Sequence, residues 1–408
     1  MPPSSLRLGF AWTLAGNVLY AASQWIVLSI LAKLGGRVML GEYALAVALT
    51  APVAMLAHLN LRAVLATDVD GRHGFADYLA VRFGISGLAL AAMAALALVF
   101  ARTGDMAAVI LLTGLAQTSE TVSDAYYGAM QKRDEMSRIA RSMMARGLLS
   151  AAAFGIALWV TGNLLASVAA MAAARLFVLV AYDRRMGAFG EQSSGATWAG
   201  ARAILGQALP LGAVLMLVSL NTNLPRYVIE RNLGVGELGA FAAVASFVTA
   251  GGTIANALGQ AATPRLARRA SHCERAGFLA LAARLAAAGL ALGVAGVAGA
   301  ALLGRLLLTL AYRPEYAAYS GLLTGVMAAA VPGYVAVVLG YAVTAARAFS
   351  VQVPLFCAAA AVCGTASLIL VPRFGLAGAP MAMGCAAATQ IAGQALILGR
   401  ALRRMEAG

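Results

Sequence analysis

An ionised side chain inside a bilayer costs several kcal/mol unless it is paired or wet. The chemistry of this chain is therefore sought first in the charged and strongly polar residues that interrupt its apolar runs. The arginines Arg62, Arg175, Arg226 and Arg284 stand out. Arg175 follows Asn163 by twelve residues, roughly 18 Å along a helix, which makes it the most central cation. Arg62 lies roughly 30 Å from Gly41 by the same rise, near one mouth of its span. Glu120 and Asp124 are four residues apart and share one helix face. Arg226 and Glu230 have the same spacing and are placed to pair. Around these charges stand Asn17 and Gln24, seven apart on one face, with His58, Asn60, Asn221, Asn223 and Gln260. A guanidinium stays charged and matches phosphate oxygens with a bidentate fork. A cavity lined this way attracts an anion rather than a cationic drug, and the amides can donate to and accept from sugar hydroxyls. Glu120, Asp124 and Glu230 are the candidates for ion coupling. Each group also has a structural alternative. Arg62 can snorkel to headgroups, Arg226 and Glu230 can be a purely structural pair, and amides commonly join helices.

The elements that must position these groups follow from composition. The chain has 408 residues, of which 62% are hydrophobic and only 11% charged, where a soluble domain carries about 25%. Mean hydropathy is +0.82. So much apolar surface does not fit one water-soluble core, and the bilayer is the solvent. The first apolar run is too long for a removable signal peptide and is followed directly by a second. The formal charge of +14 lies between apolar runs, where it reports topology rather than nucleic-acid binding. Cys273, Cys357, Cys363 and Cys385 show no CxxC or Cys/His spacing, so neither a metal nor another cofactor is expected. No Ser/His/Asp framework, HExxH, Walker motif or large extramembrane domain stands out. An enzyme is therefore not expected, and energy must come from an ion gradient, the membrane potential or consumption of the product.

The apolar runs are read as twelve spans, at about 8–33, 41–66, 76–101, 106–130, 138–161, 163–183, 204–231, 237–263, 277–303, 317–345, 350–371 and 376–399. The turn Leu34-Gly35-Gly36-Arg37-Val38-Met39-Leu40-Gly41-Glu42-Tyr43-Ala44 returns as Leu233-Gly234-Val235-Gly236-Glu237-Leu238-Gly239-Ala240-Phe241-Ala242. Gly41 matches Gly239 and Tyr43 matches Phe241 at the same offset, close to half the chain. Two six-helix bundles are expected, residues 1–190 and 203–408, joined by a linker over 191–202. Taking the amino terminus as cytoplasmic places the clusters Lys132 to Arg146, Arg184/Arg185, Arg265 to Arg275 and Arg400 to Arg404, with Arg62, Arg72, Arg82 and Arg347, on the cytoplasmic side. The opposite side keeps Lys33, Arg37, Arg102, Arg226, Arg231, Arg305, Arg313 and Arg373. This asymmetry puts both termini in the cytoplasm. The two halves then run the same way, as a parallel duplication about an axis along the membrane normal.

Ala15-Gly16-Asn17-Val18-Leu19-Tyr20-Ala21-Ala22-Ser23-Gln24-Trp25, followed by Leu31-Ala32-Lys33-Leu34-Gly35, resembles the opening of Wzx-type O-antigen and exopolysaccharide flippases. Asn60-Leu61-Arg62-Ala63-Val64, Asn221-Thr222-Asn223-Leu224-Pro225-Arg226-Tyr227 and Gln260-Ala261-Ala262-Thr263-Pro264-Arg265 are similar to later segments of the same family. The resemblance implies an all-α polytopic membrane protein of the multidrug/oligosaccharidyl-lipid/polysaccharide exporter superfamily. Its twelve transmembrane helices would form two pseudosymmetric six-helix bundles, V-shaped around a central cavity. The implied substrate is an undecaprenyl-diphosphate-linked oligosaccharide, moved across a bacterial inner membrane by alternating access. Membrane lipids and polysaccharide-assembly enzymes are the other implied partners, and nucleic acid is not one. Arg62 and Arg226 become candidates for diphosphate or glycan contacts. The chain is expected to lack the two extra carboxyl-terminal helices of larger relatives. An ion-coupled multidrug efflux transporter of the same fold is the alternative, with Glu120 and Asp124 discriminating.

Overall fold

A computed structural model describes residues 3–68, 73–187, 195–346 and 351–406. Arg72, Arg347 and residues 191–194 of the expected linker lie outside the described residues. Each apolar run becomes a helix, the only open-ended structure whose backbone polar groups are satisfied without water. The helices are α1 (Pro3–Leu34), α2 (Gly36–His58), α3 (Leu61–Thr67), α4 (Phe75–Phe100), α5 (Gly104–Lys132), α6 (Met136–Thr161) and α7 (Leu164–Val178). A π-turn, Leu179–Asp183, joins α7 to the short α8 (Arg184–Gly187). Then follow α9 (Trp198–Leu233), α10 (Val235–Ser271), α11 (Arg275–Ala311), α12 (Ser320–Ala345), α13 (Gln352–Phe374) and α14 (Gly378–Glu406). Large apolar side chains such as Leu98, Trp159, Leu302 and Leu310 stand exposed on the outside of these helices, as lipid-facing residues do.

Ten helical stretches among the described residues are long and apolar enough to cross a membrane. The last, Gln352–Arg403, runs through both α13 and α14, and α5 is absent from the set. Length and apolarity alone thus do not return the expected twelve spans. The reason at α5 is physical: its buried face carries Thr113, Thr118, Ser119, Thr121 and Ser123 in place of aliphatic residues. Thr118 donates to the Gly114 carbonyl at 2.7 Å and Ser119 to that of Ala116 at 2.7 Å, which lets hydroxyls sit in a dry interface.

The chain divides into two compact units, Met1–Ser219 and Leu220–Gly408, with the boundary inside α9. Within the first unit, α5 is central and packs on α2, α3, α4, α6 and α7. Within the second, α12 packs on α10, α11 and α14, and α13 packs on α14. The pairs α2·α4, α2·α5, α4·α5, α5·α7 and α6·α7 of the first unit recur as α10·α11, α10·α12, α11·α12, α12·α14 and α13·α14 of the second. The repeated turn closes a helical hairpin in each. Gly36 has φ +75° and Gly234 φ +90°, values that L side chains rarely adopt, and the two glycines share the offset of Gly41 and Gly239. Small residues allow close approach elsewhere: a Cβ on Gly16 would lie 3.0 Å from the Ala140 backbone, joining α1 to α6.

The second span is broken. α2 ends at His58, and Leu59 and Asn60 take left-handed backbone angles, φ +51° and +50°, before α3 restarts at Leu61. Arg82, fully buried on α4, closes the break by donating to the carbonyls of Ala57 (2.8 Å) and His58 (3.0 Å). A cation on the freed carbonyls of a helix end is favoured both by hydrogen bonding and by the helix dipole. Arg82 is thus a buried helix clasp.

Candidate substrate cavity in the first unit

A cavity of about 350 Å³ opens within the first unit. α5 supplies its floor through Gln117, Glu120, Asp124 and Tyr127, and α7 supplies Arg175. The other walls carry Tyr20 and Gln24 from α1, Tyr43 and His58 from α2, Arg62 from α3 and Arg146 from α6. The helical spacing of Glu120 and Asp124 turns both carboxylates to this space, one turn apart.

Each arginine of the cavity has its own carboxylate. Arg175 places Nη1 3.3 Å from Glu120 Oε2, and its Nη2 donates to Gln24 Oε1 at 2.9 Å. Arg62 Nη1 lies 3.7 Å from Asp124 Oδ1, and its Nε donates to Gln131 Oε1 at 2.7 Å. His58 Nε2 reaches Asp124 Oδ2 at 3.2 Å without the alignment of a hydrogen bond. Arg146 donates to Asp183 Oδ2 at 2.6 Å and also to the Ser123 hydroxyl. Ser142 completes this cluster, donating to Asp183 and sharing a 2.7 Å hydrogen bond with Tyr127 Oη. Tyr127 lies between two cations, with the Arg62 guanidinium 5.8 Å and that of Arg146 5.6 Å from its ring centroid, where the ring quadrupole favours positive charge.

Of the residues singled out by sequence, the cavity therefore brings together Gln24, His58, Arg62, Glu120, Asp124 and Arg175. Asn60 sits at the α2–α3 break, and Asn17 is exposed on α1. The remaining candidates lie in the second unit, outside this cavity. Arg226 donates to the buried Asn223 at 3.1 Å, and the Asn221 carbonyl faces Cys363 Sγ at 3.5 Å. Glu230 follows one turn further along α9. Arg284 is exposed on α11. Gln260 donates to Tyr341 Oη at 3.3 Å, and Tyr341 donates to Asn256 at 3.2 Å, a polar chain joining α10 to α12. A hollow of about 510 Å³ between α12 and α14 is lined by apolar and small residues such as Leu322, Pro332, Pro380 and Met381.

Arg146 and Asp183 were not among the sequence candidates. Arg146 ends a run of basic residues that reads as a cytoplasmic loop, and Asp183 closes the sixth span, so no local spacing links them. The available signal was position: Arg146 stands well inside α6, followed by an apolar run to Thr161.

The family model described as polysaccharide biosynthesis protein matches residues 6–269, which include every residue of the cavity. The chain belongs to this family. A capsular polysaccharide biosynthesis protein of Staphylococcus aureus, CapF, is 24% identical over 322 residues, covering 75% of this chain and 77% of that protein. Among solved structures, the lipid II flippase MurJ in an inward closed conformation is similar with a TM-score of 0.75 and 10% identity, over 97% of this chain and 90% of that one. An inward-facing multidrug-resistance MATE transporter of the MOP superfamily gives a TM-score of 0.73 and 14% identity, over 95% of both chains. At these identities the structures share the fold with this family member, which is a multi-pass membrane protein.

Proposed function

We propose that the protein flips a lipid-linked oligosaccharide across the bacterial inner membrane, with the diphosphate of an undecaprenyl carrier as the group recognised. The single observation that carries this is the cavity of the first unit, where Arg62, Arg146 and Arg175 meet within the span of the family match. A prenyl tail needs no site in protein because lipid accommodates it. The diphosphate does, and arginine forks suit it. Gln24 and Gln117 stand beside the arginines as partners for sugar hydroxyls. Alternating access by two pseudosymmetric halves, with both termini cytoplasmic, completes the mechanism. Arg226, Arg284, Asn17, Asn60, Asn221, Asn223 and Gln260 remain proposed contacts for the rest of the substrate.

Ion-coupled drug efflux is the second reading, favoured by Glu120 and Asp124 lining the cavity and by the fold shared with a multidrug transporter. Against it, three arginines line the cavity beside two carboxylates, and each of those carboxylates faces an arginine. Reconstitution into proteoliposomes with a fluorescent undecaprenyl-diphosphate glycan tests the choice. The flippase reading expects glycan movement that falls on Arg175→Gln. Movement of a cationic dye with no glycan movement would replace it by efflux.

A further inference from the structure

The pairs that neutralise the cavity arginines differ in how firmly they are built. Arg146 and Asp183 are 2% and 0% exposed, and Ser123 and Ser142 hold the pair from both sides. Arg175 and Glu120 are lopsided. The guanidinium is 5% exposed and anchored by Gln24, whereas the carboxylate is 39% exposed. Arg175 is thus the fixed member, and Glu120, which also accepts a hydrogen bond from Tyr20, is the more exposed one. Arg175 Nε and Gln24 Nε2 are buried without a hydrogen-bond partner, so donors of this pair remain unspent.

We infer that Glu120 is an exchangeable internal anion: it caps Arg175 when the cavity is empty, and a substrate phosphate displaces it as Glu120 takes up a proton. This rests on the anion-binding role proposed above. Two charged states explain the need. An empty cavity with uncapped arginines would carry net positive charge through the bilayer core on its return, at a cost of several kcal/mol. A loaded cavity holding both the diphosphate and an ionised Glu120 would place like charges together. Exchange with protonation keeps the charge down in both states. The proton comes from the water that wets the exposed carboxylate, and it returns there when the phosphate leaves.

The groups around Glu120 are consistent with this role. Facing it across the cavity are Tyr20 from α1, Tyr43 and His58 from α2, Arg62 from α3, Arg146 from α6 and Arg175 from α7, with Asp124 and Tyr127 on its own helix. Arg82 of α4 is held on backbone carbonyls, and Asp183 of the π-turn is held on Arg146. α8 contributes nothing to the lining. Among the lining carboxylates, Asp124 is less exposed than Glu120, 13% against 39%, and it is shared between His58 and Arg62. Glu120 is shared as well, between Arg175 and Tyr20, but as the more exposed of the two carboxylates it is the one placed to exchange.

The test is calorimetric titration of the purified full-length chain in lipid nanodiscs with inorganic pyrophosphate, in buffers of different ionisation enthalpy. The wild type is compared with Glu120→Gln, and the difference between them cancels the titration of pyrophosphate itself. Glu120→Gln is expected to bind at least tenfold more tightly near neutral pH, with the gap closing as pH falls. The wild type is expected to take up about one proton more per anion bound. Glu120→Ala should show the same sign, which guards against a fault peculiar to the amide. Equal affinity and equal proton uptake in wild type and variants would overturn the exchange while leaving the anion site standing. No binding to any of them at any pH would overturn both.

Discussion

Arg175 is the residue on which the proposed site turns, because it is buried, central and joined to both α1 and α5 through Gln24 and Glu120. Arg175→Gln keeps much of the side chain's length and removes the charge, so its effect isolates the electrostatic contribution. We expect the initial rate of glycan flipping to fall at least tenfold in proteoliposomes, with expression and melting temperature changed little. Asp183 has the opposite profile. It is fully buried against Arg146, and removing one member of such a pair leaves an uncompensated charge. Asp183→Ala should cost about 3–5 kcal/mol of stability, read as a lower detergent melting temperature, and adding Arg146→Met should recover part of it. At this scale the sequence was half legible. Glu120, Asp124 and Arg175 could be found because helical spacing and depth are local properties. The Arg146–Asp183 pair could not, because its partners lie on different helices and the arginine sits at the edge of a basic run. Arg226 and Arg284 were also candidates by sequence, yet they belong to the other unit and do not line this cavity.

At the scale of elements, two features carry the architecture. α5 is the polar helix around which the first unit packs; its hydroxyls, with Gln117, Glu120 and Asp124, keep it out of the most apolar stretches, and those three residues with Tyr127 build the cavity floor. The break between α2 and α3 places His58 on one side and Arg62 on the other, with Arg82 bridging the freed carbonyls. Arg82→Met should leave those carbonyls without a donor at a cost of about 1–3 kcal/mol, measurable as a lower melting temperature. The hairpin turn of the second unit gives a cleaner test of backbone geometry. Gly234→Ala forces a side chain into φ +90° and should cost about 1–3 kcal/mol. Helix positions were legible because apolar runs of this length have few alternatives in a bilayer. The break was not, since neither Leu59 nor Asn60 is a glycine or proline and the clasp comes from α4.

For the whole molecule, the sequence repeat and the repeated packing agree. Gly36 and Gly234 occupy the same turn at the same offset, and the helix pairs of the first unit recur in the second. The chemistry is not duplicated. The first unit's cavity is charged, whereas the hollow between α12 and α14 is apolar. The family match likewise covers the first unit from residue 6 onward and ends within α10. The proposed cytoplasmic placement of both termini predicts that a reporter working only in the cytoplasm is active when fused after Gly408, and that an enzyme folding only in the periplasm is silent there. The central claim, that arginines of the first unit carry a lipid-linked anion across the membrane, is tested most directly by one comparison. Proteoliposomes holding wild type or Arg175→Gln are loaded with a fluorescent undecaprenyl-diphosphate glycan, and its appearance in the opposite leaflet is followed over time. The account predicts flipping by the wild type and a rate at least tenfold lower for the variant. Equal rates in folded protein would contradict it.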